Sequence, residues 1–181
     1  MIRIETERLI LRNFCENDTQ GLYELLANPR VNCYESEKVE SMEEAYKEVL
    51  KKSKIDDGTE LAVILSDTKE FIGTVFSLKE EPDTYSVCWN FLERFGKKGY
   101  AFEASSAYID YLFYEKNARR IYAYVEDYNF NSQKLCEKLG MRKEGLFKEF
   151  ISFVNNSDGT PKYENTYQYA VLRHERTSQK N

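Results

Sequence analysis

Gly96-Lys97-Lys98-Gly99-Tyr100-Ala101 separates an apolar run ending near Leu92 from a stretch in which Ala104, Ala107, Tyr108, Tyr111, Leu112 and Glu115 fall at helical offsets. The order is strand, glycine turn, helix. Glycines and small side chains there let backbone N–H groups approach an anion, the helix N-terminus contributes partial positive charge, and Lys97 and Lys98 contribute full charges. Such a crossing can hold a pyrophosphate, although a plain structural turn shows the same local pattern. It is neither a P-loop, which needs Gly-Lys-Ser/Thr after its spaced residues, nor a dinucleotide fingerprint with its third glycine.

Outward from this crossing, strand and helix periods alternate. Upstream, Leu61–Leu65 and Phe71–Phe76 read as strands joined by the polar turn Ser66-Asp67-Thr68-Lys69. Pro82-Asp83 then turns the chain into a third strand, Tyr85–Leu92, which completes an antiparallel meander. Nearer the N-terminus, Leu9-Ile10-Leu11 between Arg8 and Arg12 reads as a short strand, and Leu22, Leu25 and Leu26 mark a helix over Glu16–Ala27. Ser41-Met42-Glu43-Glu44 is a capping box that opens a second helix towards Lys54. Downstream, Ile121–Val125 is a strand, Ser132–Leu139 is a short helix closed by Gly140, and Phe147–Val154 with Tyr163–Leu172 is a hairpin around Asn155–Gly159. The order β-α-α-β-β-β-α-β-α-β-β calls for one domain over residues 1–181, of α/β (α+β) class, with a mixed sheet of seven strands covered by helices.

Composition agrees with a folded globule. The chain has 181 residues, with 41% apolar, 31% charged and 14% aromatic residues and only 8 Gly and 3 Pro, which excludes disordered, collagen-like and low-complexity classes. A net charge of -5 and a pI near 5.2 have the wrong sign for tracking a phosphate backbone, so nucleic acid is not an expected partner. Cys15, Cys33, Cys88 and Cys136 form no C-x-x-C pair and His174 is the single histidine, so no zinc-type spacing can be assembled and no metal is expected. Met1–Leu9 mixes charges with its apolar residues and no apolar run reaches secretory or membrane-spanning length. A cytoplasmic protein with reduced thiols, away from membranes, is the expectation.

Four strings in order carry a resemblance that spans nearly the whole chain. They are Glu5-Thr6-Glu7-Arg8-Leu9-Ile10-Leu11-Arg12 followed by Asp18, Gly99-Tyr100-Ala101-Phe102-Glu103-Ala104, Asn129-Phe130-Asn131-Ser132, and Glu137-Lys138-Leu139-Gly140-Met141. Together they resemble the GNAT superfamily of N-acetyltransferases, and more narrowly the branch of the ribosomal-protein N-terminal acetyltransferases RimJ and RimL. The resemblance implies acetyl-CoA as cosubstrate and a mostly antiparallel sheet in which the strand before the glycine turn splays from its neighbour at a bulge. The backbone of Trp89, Asn90, Phe91 and Leu92 is then expected at the pantetheine arm and acetyl carbonyl, and Lys97, Lys98, Gly99, Tyr100 and Ala101 at the pyrophosphate. Asn129 and Ser132 match positions near the pantetheine and its thiol, with Asn129 also suited to capping the following helix. The family commonly has Gln, Arg or Trp where Gly96 stands and Gly where Lys97 stands, so the cradle is shifted in composition. A branched side chain at Gly99 is expected to block the anion with little loss of stability.

The implied reaction is direct transfer from acetyl-CoA to a primary amine. Glu126 is the candidate general base, acting through water, and Ser132 the candidate donor to the departing sulfur. Cys136 stands where many GNAT enzymes carry a Tyr in that donor role, and a buried packing thiol would look the same. With no strong base evident, a protein or peptide N-terminal α-amine is the expected acceptor. The alternatives are a small cationic molecule, such as an aminoglycoside, a polyamine or an amino-acid-like toxin, and a non-catalytic acyl-CoA-binding domain. Glu35 and Glu37 lie in the loop Val31–Val39, on the family's substrate side, where a solvated acidic loop would look no different. The side chains of Trp89, Tyr108, Tyr111 and Tyr114 read as packing residues and His174 as a surface residue. Oligomeric state is open, a homodimer included.

Overall fold

The computed structural model describes residues 2–178. Its strands are β1 (Arg3–Glu5), β2 (Leu9–Arg12), β3 (Glu60–Leu65), β4 (Phe71–Glu80), β5 (Thr84–Phe91), β6 (Arg120–Glu126), β7 (Arg142–Asn155) and β8 (Pro161–Leu172), and they form one eight-stranded sheet in the order β1-β2-β3-β4-β5-β6-β8-β7. All neighbours are antiparallel except β5 and β6, which run parallel. The sheet is therefore mixed and mostly antiparallel, with one strand more than the seven expected. The addition is β1, whose Arg3-Ile4-Glu5 has a single apolar residue and no strand period of its own. It forms by pairing with β2, where Arg3 lies opposite Arg12 and Glu5 opposite Ile10.

Helices α1 (Thr19–Leu26), α2 (Met42–Lys52), α3 (Tyr100–Tyr114), α4 (Phe130–Lys138) and α5 (Arg173–Ser178) flank the sheet. Ser41 caps α2 by accepting from the Glu44 N–H at 3.2 Å, while Glu44 reaches past Ser41 to the Glu40 N–H at 2.7 Å. Gly140 ends α4 at φ 79°, a left-handed backbone that glycine adopts without penalty. The Val31–Val39 loop contains a 3-10 turn, Asn32–Glu37, lying against β7. Its residues have neither helical nor strand period, and the surface beneath gives the turn its shape. The core runs through Leu9, Leu11, Leu61, Ala62, Val63 and Ile72, all fully buried, and is covered by Tyr108, Ile109, Leu112 and Phe113 of α3 and Leu22, Leu25 and Leu26 of α1. Beside it the buried Lys52 ammonium meets Glu60 at 2.5 Å and Glu37 at 4.0 Å, which ties α2, β3 and the 3-10 turn together. Among the described residues no helix is long and apolar enough to cross a membrane.

The sheet opens between its two parallel strands. The parallel strands pair only at Thr84–Arg120, Tyr85–Ile121 and Ser86–Tyr122, after which β5 and β6 diverge and leave a gap.

Candidate active site

The alternation of an antiparallel ladder decides which groups of β5 face the gap. The Leu92 N–H donates to the Ile72 carbonyl at 2.9 Å, and the β4 register is unbroken from Glu80–Thr84 to Gly73–Phe91. Even-numbered residues therefore spend their backbone groups on β4, and Trp89 and Phe91 turn theirs to the gap. The expected bulge at Trp89–Phe91 is absent, because divergence from β6 frees this edge without an inserted residue. Register shifts fall instead in β3 at Val63/Ile64 and in β7. Asn90 and Leu92, both expected at the cofactor, lie off this edge: their amides point to β4, and the Leu92 side chain is buried. The gap-facing carbonyls already have donors, since the Tyr34 hydroxyl donates to Trp89 O at 2.9 Å and Arg30 Nη2 to Phe91 O at 3.5 Å. The Trp89 and Phe91 amides are the groups left to meet a ligand.

Within the gap lies a half-open cavity of about 30 Å³, room for roughly two waters, bounded by Cys33, Tyr34, Cys88, Trp89, Glu126, Asn129 and Ser132. The Asn129 side chain accepts from the Ser132 N–H at 3.2 Å, so its capping role is realised and leaves it at the cavity wall. The Ser132 Oγ accepts from the Trp89 indole N–H at 3.4 Å, which leaves the serine proton free to donate. Trp89 is therefore more than a packing residue. Glu126 is buried, 6% exposed, at the end of β6. Burial first and the Glu126 charge next push the Cys33 thiol far up, burial holds the Tyr34 phenol well above its ordinary value, and burial raises the Cys88 thiol. These groups stay neutral and form a low-dielectric wall. Cys136 falls outside the cavity: it is fully buried one turn beyond Ser132, and burial pushes its thiol up to about 12. That thiol packs α4 and does not line the cavity.

The glycine turn sits at the same end of the sheet. Lys97 has φ 61° and Gly99, the N-cap of α3, has φ 85° with no side-chain cap, so the first amides of the helix are open to an anion. Two strings far apart in sequence meet here. Glu103 of α3 accepts from Thr6 Oγ1 at 2.6 Å, from the Arg8 N–H at 2.9 Å and from Arg8 Nε at 2.7 Å, while Arg8 Nη1 donates to the Lys98 carbonyl at 3.1 Å and the guanidinium lies 4.6 Å over the Tyr100 ring. This clamp sets the conformation of the turn around Lys98 to Ala101.

Residues 8–142 match the family model described as the acetyltransferase (GNAT) domain. The chain belongs to the GNAT acetyltransferase family. The uncharacterized N-acetyltransferase YnaD of Bacillus subtilis (strain 168) is 35% identical over 175 residues, covering 96% of this chain and 99% of that protein. A GNAT-family acetyltransferase from Bacillus anthracis superposes with a TM-score of 0.84 at 31% identity, covering 96% of this chain and 99% of that one. A variant of the spermidine N-acetyltransferase SpeG from Vibrio cholerae shares the fold with a TM-score of 0.75 at 22% identity, over 97% of this chain and 100% of that one. This GNAT chain is an acyltransferase enzyme of a family that uses acetyl-CoA, which sets aside the non-catalytic alternative.

The remaining expectations divide. Tyr108 packs as read, with its hydroxyl at 2.8 Å from both Ser77 and the Gly58 carbonyl and Tyr111 stacked at 6.1 Å, whereas Tyr114 is 44% exposed. His174 lies exposed on α5. Glu35 and Glu37 belong to the 3-10 turn, and partial burial raises the Glu37 carboxyl. Among the described residues no cluster of three His, Cys, Asp or Glu is arranged for a metal. Sequence reasoning missed Cys33, Tyr34 and Cys88, which carry no motif, and it missed the Arg8–Glu103 clamp. Both halves of that clamp stood inside the quoted strings, so their joint presence was the available signal.

Proposed function

We propose that this GNAT enzyme transfers an acetyl group from acetyl-CoA to a primary amine by direct attack in the gap between β5 and β6. The observation that carries the reading is the free edge at Trp89 and Phe91, opened by a parallel pairing that ends at Ser86. Those two amides are suited to stabilise the oxyanion formed as an amine attacks a thioester carbonyl. The open amides of Gly99, Tyr100 and Ala101, with Lys97 and Lys98, would bind the pyrophosphate. Ser132 Oγ–H would protonate the departing sulfur, and Glu126, on the cavity wall, would take the amine proton through a water.

For the acceptor, the RimJ/RimL-like strings and a single candidate base favour a protein or peptide N-terminal α-amine. An α-amine titrates near pH 8 and lysine near 10.4, so at neutral pH the neutral fraction of the α-amine is larger by about two orders of magnitude. A second reading, a small cationic acceptor, is favoured by the carboxylate on the cavity wall, Glu126, which is only 6% exposed. Release of free CoA thiol with a panel of peptides and small amines tests the function. Mass spectrometry then separates the acceptors: acetyl on a lysine side chain while a free N-terminus stays unmodified would refute the α-amine reading.

A further inference from the structure

The cavity wall continues onto an exposed aromatic shelf. Tyr124 of β6 lines the cavity and is still 43% exposed, and beyond it stand Phe147 and Phe150 of β7, 38% and 45% exposed. The three rings touch one another: the Tyr124 centroid lies 6.1 Å from Phe147 and 5.3 Å from Phe150, and the two phenylalanines are 5.0 Å apart. Aromatic rings gathered in one water-facing patch mark a contact surface, because their large apolar area is stabilising only when a further group covers it.

The backbone is bent to build this shelf. Phe147 pairs with Thr166 and Ile151 with Glu164, so Lys148, Glu149 and Phe150 oppose Asn165 alone. In a regular strand Phe150, three residues from Phe147, would point to the opposite face. The bulge turns it back beside Phe147 and holds Glu149 in the left-handed region, at φ 48°. Asn165 fixes the bulge by accepting from the Glu149 N–H at 3.0 Å, and it donates to Asp127 Oδ2 at 2.8 Å, next in the chain to Glu126. The shelf is thereby tied to the end of β6 where the candidate base stands. Glu126 and Tyr124 share a face two residues apart, about 7 Å along the strand. In an extended peptide the N-terminal nitrogen and the second Cβ are about 5–6 Å apart. An α-amine beside Glu126 therefore brings its second side chain onto the shelf, which is open to solvent. The cavity, with room for roughly two waters, admits the reacting atoms and no large first side chain.

We propose that Tyr124, Phe147 and Phe150 are the subsite for the second residue of the acceptor, taking an aromatic side chain of a peptide whose first residue is small, an inference that rests on the α-amine acetylation proposed above.

The test compares Ala-Phe-Gly-Gly, Ala-Ala-Gly-Gly and Phe-Ala-Gly-Gly, by steady-state release of CoA thiol and by calorimetric binding to the protein saturated with CoA. In the unmodified enzyme, kcat/KM for Ala-Phe-Gly-Gly should exceed that for either of the others at least tenfold. Phe150→Ala should cut this ratio at least fivefold, chiefly by raising the KM for Ala-Phe-Gly-Gly. Phe147→Ala should do the same, and it decides the matter if Phe150→Ala does not fold. Equal kcat/KM for the three peptides, or losses in the folded variants that are the same for all three, would overturn the subsite while leaving acetyl transfer intact. A parent that sediments as a dimer and a Phe150→Ala variant that sediments as a monomer would assign the shelf to contact between copies and overturn it as well. If no peptide is acetylated, calorimetry decides: tighter binding of Ala-Phe-Gly-Gly that is lost in Phe150→Ala supports the subsite and refutes the transfer reading, and binding without preference overturns both.

Discussion

Replacing Gly99 by alanine separates backbone strain from ligand contact. Gly99 has φ 85°, and a Cβ there would meet only Arg8 Nη2, at 3.3 Å, the far end of a flexible side chain. Gly159, in the turn of the β7–β8 hairpin, has the same φ of 85° and nothing within 4 Å of an added Cβ. Holding an L-residue in the left-handed region costs about 1–2 kcal/mol. In a chain of this size each kcal/mol lowers Tm by about 2–4 °C, so Gly99→Ala and Gly159→Ala should each lose roughly 2–8 °C. The two differ at the cradle. A methyl at Gly99 occupies the surface where the α3 amides would meet the pyrophosphate, and acetyl-CoA should bind at least tenfold more weakly, about 1.4 kcal/mol. Gly159→Ala should bind it as the parent does. Thermal unfolding by circular dichroism and titration calorimetry with acetyl-CoA measure both quantities. Parental affinity in a folded Gly99→Ala protein would refute the cradle, and a loss of equal size in Gly159→Ala would show that destabilisation, not contact, weakens binding. The positive φ also corrects the expectation that Gly99→Val is harmless to stability: a β-branched residue is worse placed there than alanine.

Three further outcomes follow from the geometry. Cys136→Ala should keep most of kcat and lose about 1 kcal/mol of stability from the small cavity it leaves, while Ser132→Ala should lower kcat more than it raises the KM for acetyl-CoA; steady-state kinetics with the reverse pattern would return the donor role to Cys136. Lys52→Met should cost about 3–5 kcal/mol in urea unfolding by stranding the buried Glu60, and Lys52→Met combined with Glu60→Met should recover most of it; an additive double variant would contradict the pairing. Partial burial raises the Glu37 carboxyl, so the folded state holds that proton more tightly than the unfolded chain and loses stability as pH rises through the carboxylate range. Glu37→Gln should therefore raise Tm at pH 7, with the gain fading below about pH 4; a gain that persists at low pH would exclude titration as its cause.

What the sequence determined by itself is what neighbours in the chain can encode. The continuous apolar run Leu61–Leu65, the helical spacing from Ala104 to Leu112, the Ser41 cap and the left-handed Gly140 and Gly99 are all settled by local backbone preference and by apolar side chains seeking the core. The order of those elements, with the four strings, was enough for the family and the mixed sheet. The site depended on contacts between distant residues. Pairing of β5 with β6 ends at Ser86 because Thr84–Ser86 and Arg120–Tyr122 meet in one register and then diverge, a fact of sheet twist that neither strand carries alone. Tyr34 over the Trp89 carbonyl, Arg8 on Glu103 across 95 residues of sequence, and Ser132 under the Trp89 indole exist only once the strands are registered and the 3-10 turn is laid against them. Periodicity reports which face of an element is apolar. It does not report which polar groups the packing leaves facing one another, and in this enzyme those groups line the candidate site.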